Sequence, residues 1–209
     1  MTLQTRVTPF GEIVADPWRG ALMGNRGCLH DDAGRIGQAR WRHRCWVCCV
    51  TEFRGRHRLI MPPKGAPTRY TALFFWDEAC ALAAGHRPCG ECRYADHMAF
   101  KAAWAAAGLP GRKAAEIDRV LHAARVAPDR TQRRTPARLG DLPAGAMVAL
   151  PQTPDTATLL WDGGLFDWSA DGYRSRPSLA ADHVTLLTPE PTVAAITAGF
   201  APKIGPILG

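Results

Sequence analysis

What the chain lacks narrows it first. No apolar run among its 209 residues approaches the roughly 20 needed to cross a bilayer. The first twenty residues mix acids, prolines and glycines and hold no apolar segment of the secretory type. There is no internal repeat and no low-complexity tract. Acidic residues are scarce over positions 1–140, where 12 Asp and Glu face 23 Lys and Arg, a net of +11. Cysteine is missing beyond Cys92, with all seven thiols between Cys28 and that position. No membrane-spanning helix and no membrane partner are expected. These absences imply a cytoplasmic protein, where thiols in a reducing compartment read as metal ligands or buried hydrophobes rather than disulfides.

What is present is enough for a core in one domain or two small ones, with 46% hydrophobic and 22% charged residues. Residues 141–209 carry only 3 Lys and Arg against 7 Asp and Glu, a net of −4. The basic charge therefore sits on the half that holds the cysteines, and a polyanion is the expected partner. DNA is expected before RNA.

Local signals place the elements of an α+β fold. The runs WVCCVTEF (46–53) and YTALFFW (70–76) have strand composition. Asp77 is a natural N-cap for a helix over 78–84, with Gly85 as its left-handed stop. Longer helices are predicted over 95–107 and 112–126, the second from Ile117, Val120, Leu121 and Ala124 at helical spacing. The segment 129–140 is polar and arginine-rich, and it reads as a basic connector between a zinc-bearing domain (1–128) and a β-rich, mildly acidic subdomain (141–209). Strands are expected near 147–150, 158–161, 165–168 and 183–187, with hairpin turns at 161–164 and 171–173 and a short terminal helix after Thr188-Pro189.

The most informative stretch is GHRPCGECR, residues 85–93. Two thiols two residues apart on a tight turn form half of a tetrahedral zinc site, which makes Cys89 and Cys92 candidate ligands. Cys45, Cys48 and Cys49 can supply the other half, as Cys45/Cys48 or as Cys45/Cys49. On a strand Cys48 and Cys49 face opposite ways, so one of the three is spare. His30, His43 and His86 are possible substitutes, and Cys80, inside an Ala-rich helix, reads as a buried hydrophobe.

Residues 75–93 (FWDEACALAAGHRPCGECR) resemble the metal-binding domain of the Ada DNA-repair proteins, with the similarity reaching back loosely to Cys45. The resemblance implies a four-cysteine zinc site in which Cys45 and Cys49 match the first ligand pair, and Cys89 and Cys92 the second. It also implies DNA contact and an earlier-pair thiolate that accepts alkyl groups from phosphotriesters. The rest of the chain resembles no repair module.

Three functional readings follow. In the first, zinc organises a nucleic-acid-binding module linked to DNA repair or modification. Arg54, Arg56, Arg58, Lys64, Arg69, Arg87 and Arg93 would meet phosphate, the last two fixed in place by the knuckle they flank. Trp46 and Trp76 are candidates for stacking on an unpaired base, or for the core. In the second, the protein is a metal- or His/Asp-dependent enzyme acting on nucleic acid: an alkyl-accepting zinc thiolate, a nuclease or a lyase. Its catalytic loop would use His30 as base, Asp31 to orient it and Arg26 on an anion, with Asn25 alongside. The plain account of that loop is a turn whose Asn and Asp cap backbone groups, with His30 on the surface. In the third, the acidic C-terminal half docks another protein or covers the basic half.

Overall fold

Val47, Cys48, Cys49 and Val50 form a strand because β-branched and small apolar residues suit a pleated surface buried on both faces. In a computed structural model describing residues 2–56, 59–66, 69–177 and 182–208, that strand is β4 of a first sheet. Its elements in chain order are β1 (Gln4–Val7), β2 (Ile13–Ala15), β3 (Leu22–Asn25), β4 (Val47–Val50), β5 (Leu73–Phe75) and β6 (Arg87–Pro88), with α1 (Glu78–Ala83) between the last two. The spatial order is β2-β1-β5-β3-β4-β6, and β1 with β5 and β4 with β6 are parallel pairs. Two helices follow, α2 (Tyr94–Ala106) and α3 (Ala114–Arg125).

The second sheet holds β7 (Thr135–Arg138), β8 (Met147–Leu150), β9 (Thr153–Trp161), β10 (Gly164–Ser169), β11 (Gly172–Arg176) and β12 (His183–Leu186). Helix α4 (Glu190–Thr197) and the short β13 (Ile207–Leu208) end the described chain. The order is β13-β11-β10-β9-β8-β12-β7, antiparallel except where β13 joins β11. The α+β class read from the sequence holds.

Helix α1 forms as its signals indicate. The Asp77 carboxylate accepts the Cys80 N–H at 2.9 Å, and Gly85 ends the turn at φ +83°. Glycine is required there twice over, since a Cβ would also lie 2.5 Å from Cδ of Arg125. All six residues of α1 are buried, because the helix packs on three sides. Ala81 meets the first sheet at Val7, Leu73 and Phe75. Ala79, Cys80 and Ala83 meet the second at Met147, Leu159 and Tyr173. Leu82 meets α2, α3 and α4 around Trp104, Leu121 and Ile196. Alanine and cysteine are small enough for such close approach, so Cys80 is the buried thiol expected.

The two halves thus share cores, and their junction is polar as well: the Tyr173 hydroxyl donates to Asp77 Oδ2 at 2.9 Å. The connector also differs from expectation. Its residues Thr135–Arg138 are an edge strand on β12, in register Thr135↔Leu186 to Arg138↔His183. Four residues with one proline are too short and polar to announce a strand, and proline is tolerated at a sheet edge. Strand β11 is likewise masked by the polar sequence Arg-Ser-Arg at its end.

Candidate metal centre

The parallel pairing of β4 with β6 builds the site. Val47 lies opposite Arg87 and Cys48 opposite Pro88, and the Cys89 N–H donates to the Cys48 carbonyl at 3.0 Å. This register carries the knuckle after β6 alongside the end of β4. The Sγ atoms of Cys49, Cys89 and Cys92 lie within 4.8 Å of one another and could hold a metal ion. Sulfurs about 2.3 Å from a tetrahedral zinc stand about 3.8 Å apart, so little movement is needed to close on one ion. Cys92 also borders a cleft of about 490 Å³ with Tyr94, Asp96 and Lys203 on its walls.

The three thiols do not titrate alike. Hydrogen bonding from the Cys49 thiol, with the backbone N–H groups of Cys92 and Glu91, holds Cys89 down to about 5. Glu91 N lies 3.4 Å from that sulfur. Its bond to Cys89 pushes Cys49 far up, with burial adding to the effect, and burial raises Cys92. Cys89 is therefore the thiol most readily deprotonated of the three, and binding a metal would displace the protons of those still protonated.

Strand alternation sorts the upstream cysteines as the pleat requires. Cys49 faces the knuckle with Met23 and Ala72, while Cys48 faces the opposite core with Val7 and Phe75. Burial pushes the Cys48 thiol up to about 12, partly offset by Arg93, whose Nη1 is 3.0 Å from its sulfur. Cys45 precedes the strand, and its sulfur lies 3.7 Å from Arg87 Nη2. Cys45 and Cys48 are therefore not in the trio. Cys49 is the one member of the upstream set that reaches it. Among the described residues no histidine joins the group, including His30, His43 and His86.

The flanking arginines need a larger correction. Arg87 and Arg93 are buried, not a cationic rim. Arg87 makes a bidentate pair with Asp118 of α3 at 2.8 and 2.7 Å. Arg93 pairs with Glu78 at 2.7 Å and Asp96 at 2.8 Å. Both charges are spent on the fold. Of the other candidates, Arg54, Arg56 and Lys64 are exposed, and Arg56 forms an ion pair with Glu91 of the knuckle at 2.8 Å. Arg69 is half-buried and pairs with Asp32 at 2.7 Å. Arg58 lies outside the described residues. Trp46 is buried and Trp76 half-buried, the latter edge-on to Trp18 at 6.2 Å.

The Asn25–Asp31 loop does not gather into one catalytic set. Asn25 Oδ1 accepts the Gly27 N–H at 3.2 Å and lies 3.0 Å from His43 Nε2. Asp31 accepts the N–H groups of Ala33 and Arg35 at 2.9 Å and pairs with the Arg35 side chain, all on the surface. His30 is buried rather than on the surface. Its Nε2 lies 3.0 Å from the Pro62 carbonyl, which only accepts, so Nε2 carries the proton. Nδ1 then accepts from the Thr71 hydroxyl at 2.7 Å, which leaves His30 no free lone pair to act as a base.

Arg26 belongs to a cluster the sequence does not announce. Its guanidinium carbon lies 4.1 Å from the Trp46 ring centroid, and that of Arg125 lies 4.0 Å from the same centroid. His86 is fully buried between Trp46 and Phe75, with Arg26 Nε 3.5 Å from its Nε2. Members at positions 26, 46, 86 and 125 share no local spacing, so only the fold unites them. Burial, followed by Arg26 and Arg125, holds His86 well below the ordinary histidine value. A depressed folded pKa means the stability is present above the unfolded value of about 6.5 and is lost as pH falls below it. Between pH 7.5 and 5.5 that loss is on the order of 1 kcal/mol. Urea unfolding at both values should therefore show wild type losing more than His86→Gln, and equal losses would show that His86 does not titrate on unfolding.

Compared with known proteins, the chain matches no protein-family model, no curated protein and no solved structure.

Proposed function

We propose that this is a zinc-containing nucleic-acid-binding protein, directed to DNA and linked to its repair or modification. One observation carries the reading: the knuckle that brings Cys89 and Cys92 to Cys49 is also tied, through Glu91 and Arg56, to an exposed basic loop. Three sulfur donors favour zinc among the divalent ions, because soft thiolates suit it and a reducing compartment keeps them available. The ion would fix the turn carrying Glu91, and so the loop carrying Arg54, Arg56 and Lys64. The net charge of +11 over positions 1–140 supports a polyanionic partner. The Ada-like stretch supports DNA and repair. With Arg87 and Arg93 withdrawn into the fold, the phosphate contacts rest on the exposed loop.

Affinity for a short DNA duplex should fall steeply between 50 and 200 mM salt, the range over which phosphate-binding proteins release counterions. Replacing Arg54, Arg56 and Lys64 together by alanine should lower the log–log slope by about 2 to 3. A salt-independent affinity, or a slope unchanged in the triple variant, would remove this reading.

A further inference from the structure

From the Arg26–Trp46–Arg125 cluster opens a cavity of about 720 Å³, within the size range of small-molecule sites. We infer that it is a nucleotide pocket, taking a nucleotide phosphate against Arg26 and Arg125 and a planar base against Trp41. The ligand is either a free nucleoside monophosphate or one nucleotide turned out of a strand. The inference deepens the nucleic-acid reading and rests on it for the strand-borne source, while the pocket's own charge and shape stand apart from the metal centre.

The charge pattern is the first argument. Arg26 is 3% exposed and Arg125 1% exposed, and among the described residues neither pairs with a carboxylate. Arg26 donates only to neutral groups: the carbonyls of Gly11 and Ala84 at 3.2 Å and His86. Arg125 donates to the carbonyls of Gly85 and Arg44 at 2.5 Å, and its buried Nε has no partner at all. Two desolvated cations against one ring repel each other. Taking an unpaired ion out of water is costly, and carbonyl dipoles return only part of that cost. An anion in the adjoining cavity supplies the missing counter-charge. Burial lowers both groups, Arg26 to about 9, and Asp118, bonded to Arg87, offsets only part of this at Arg125. Elsewhere the same fold answers buried arginines with carboxylates, Arg87 with Asp118 and Arg93 with Glu78 and Asp96.

The lining is the second argument. Arg40, Arg130 and Arg134 also border the cavity, against Glu12 and Asp129 alone among acids. Five arginines facing two carboxylates suit an occupant with more than one negative charge, such as the phosphomonoester dianion of a free nucleotide or the two phosphodiesters flanking a strand nucleotide. Trp41 is half-buried in the wall and held edge-on to His122 at 4.5 Å, which fixes an aromatic surface beside the cationic end. A ring so held suits base stacking, which tolerates any base. A bare inorganic anion would leave most of the volume and the tryptophan unused.

The test is calorimetric titration of full-length, metal-loaded protein with inorganic phosphate, a nucleoside, its 5′-monophosphate and a short single-stranded oligonucleotide. The monophosphate should bind at least about tenfold more tightly than either the nucleoside or phosphate alone. Trp41→Ala should weaken the monophosphate about tenfold and leave phosphate nearly unchanged. Arg40→Ala with Arg134→Ala, both exposed and so harmless to folding, should weaken both ligands. Competition between monophosphate and oligonucleotide would assign the pocket to a strand nucleotide. Monophosphate binding without oligonucleotide binding would keep the pocket and remove the nucleic-acid reading. Salt-sensitive oligonucleotide binding that neither monophosphate nor Trp41→Ala disturbs would overturn the pocket and leave that reading standing. No heat with monophosphate at millimolar concentration would likewise overturn it.

Discussion

If the proposed zinc is bound, serine at Cys89, Cys92 or Cys49 should take the zinc content of the purified protein from about one ion per chain to nearly none, while serine at Cys45 should leave it unchanged. The three residues converge on one point and Cys45 does not. Each ligand thiolate must be deprotonated, and a serine hydroxyl cannot be at neutral pH, so one replacement breaks the set. The thermodynamic effect is large because apparent zinc binding in small structural sites is worth about 10–16 kcal/mol near pH 7. Part of that would be folding free energy, since an ion would tie the half-buried Cys89 and Cys92 to Cys49 on β4, beyond the strand pairing and ion pairs that already hold the knuckle. The ligand variants should melt well below wild type and no longer respond to chelator, whereas wild type treated with chelator should fall to their level. Cys48→Ala separates packing from ligation, because Cys48 is fully buried in the opposite core. It should lose stability and retain its metal. Zinc analysis beside thermal melting reads both effects. A Cys45 variant that loses zinc while a Cys49 variant keeps it would invert the assignment.

The parts of this site that are visible in the sequence are those set by neighbours along the chain. Asp77 as N-cap and Gly85 as stop are local chemistry, and they fix how α1 delivers the chain to the knuckle. Strand alternation separates Cys48 from Cys49 by period alone. The choice between Cys45 and Cys49 is different, because it depends on β4 pairing parallel with β6 across some forty residues. No spacing rule carries that register. The arginines mislead for the same reason. Arg87 and Arg93 flank a cysteine pair and look like a rim, but their partners Asp118 and Glu78 lie 31 and 15 positions away. Whether a guanidinium meets solvent or a buried carboxylate is decided by α3 and α1 closing over it. The shared cores follow the same logic, since an all-apolar α1 does not say how many surfaces it faces.

Those buried pairs set the second large effect. Replacing Arg93 by methionine should cost about 3–5 kcal/mol, and replacing Glu78 by leucine in the same chain should restore most of it. Arg93 touches four segments at once: Cys48 on β4, Glu78 on α1, Asp96 on α2 and, through Glu78 Oε2, the Lys203 N–H near the C-terminus at 3.0 Å. Methionine keeps the length and apolar stem but removes the cation. Glu78, 1% exposed, is then left as a buried carboxylate with one backbone N–H for company. Burial already pushes its carboxyl up despite Arg93, so without the arginine it must take a proton or open the core. Removing both charges eliminates that desolvation, and such double replacements are often neutral. Lysine at 93 should fall between, because one ammonium cannot span the carboxylates and the thiol that the planar guanidinium reaches together. For a chain of this length the single loss corresponds to a melting shift of roughly 10 °C. Zinc content measured on each variant separates this effect from disturbance of the adjacent Cys92. A single variant within 1 kcal/mol of wild type would show the pair to be idle, by the usual range for exposed pairs. A double variant no better than the single would show that Arg93 acts through packing rather than charge.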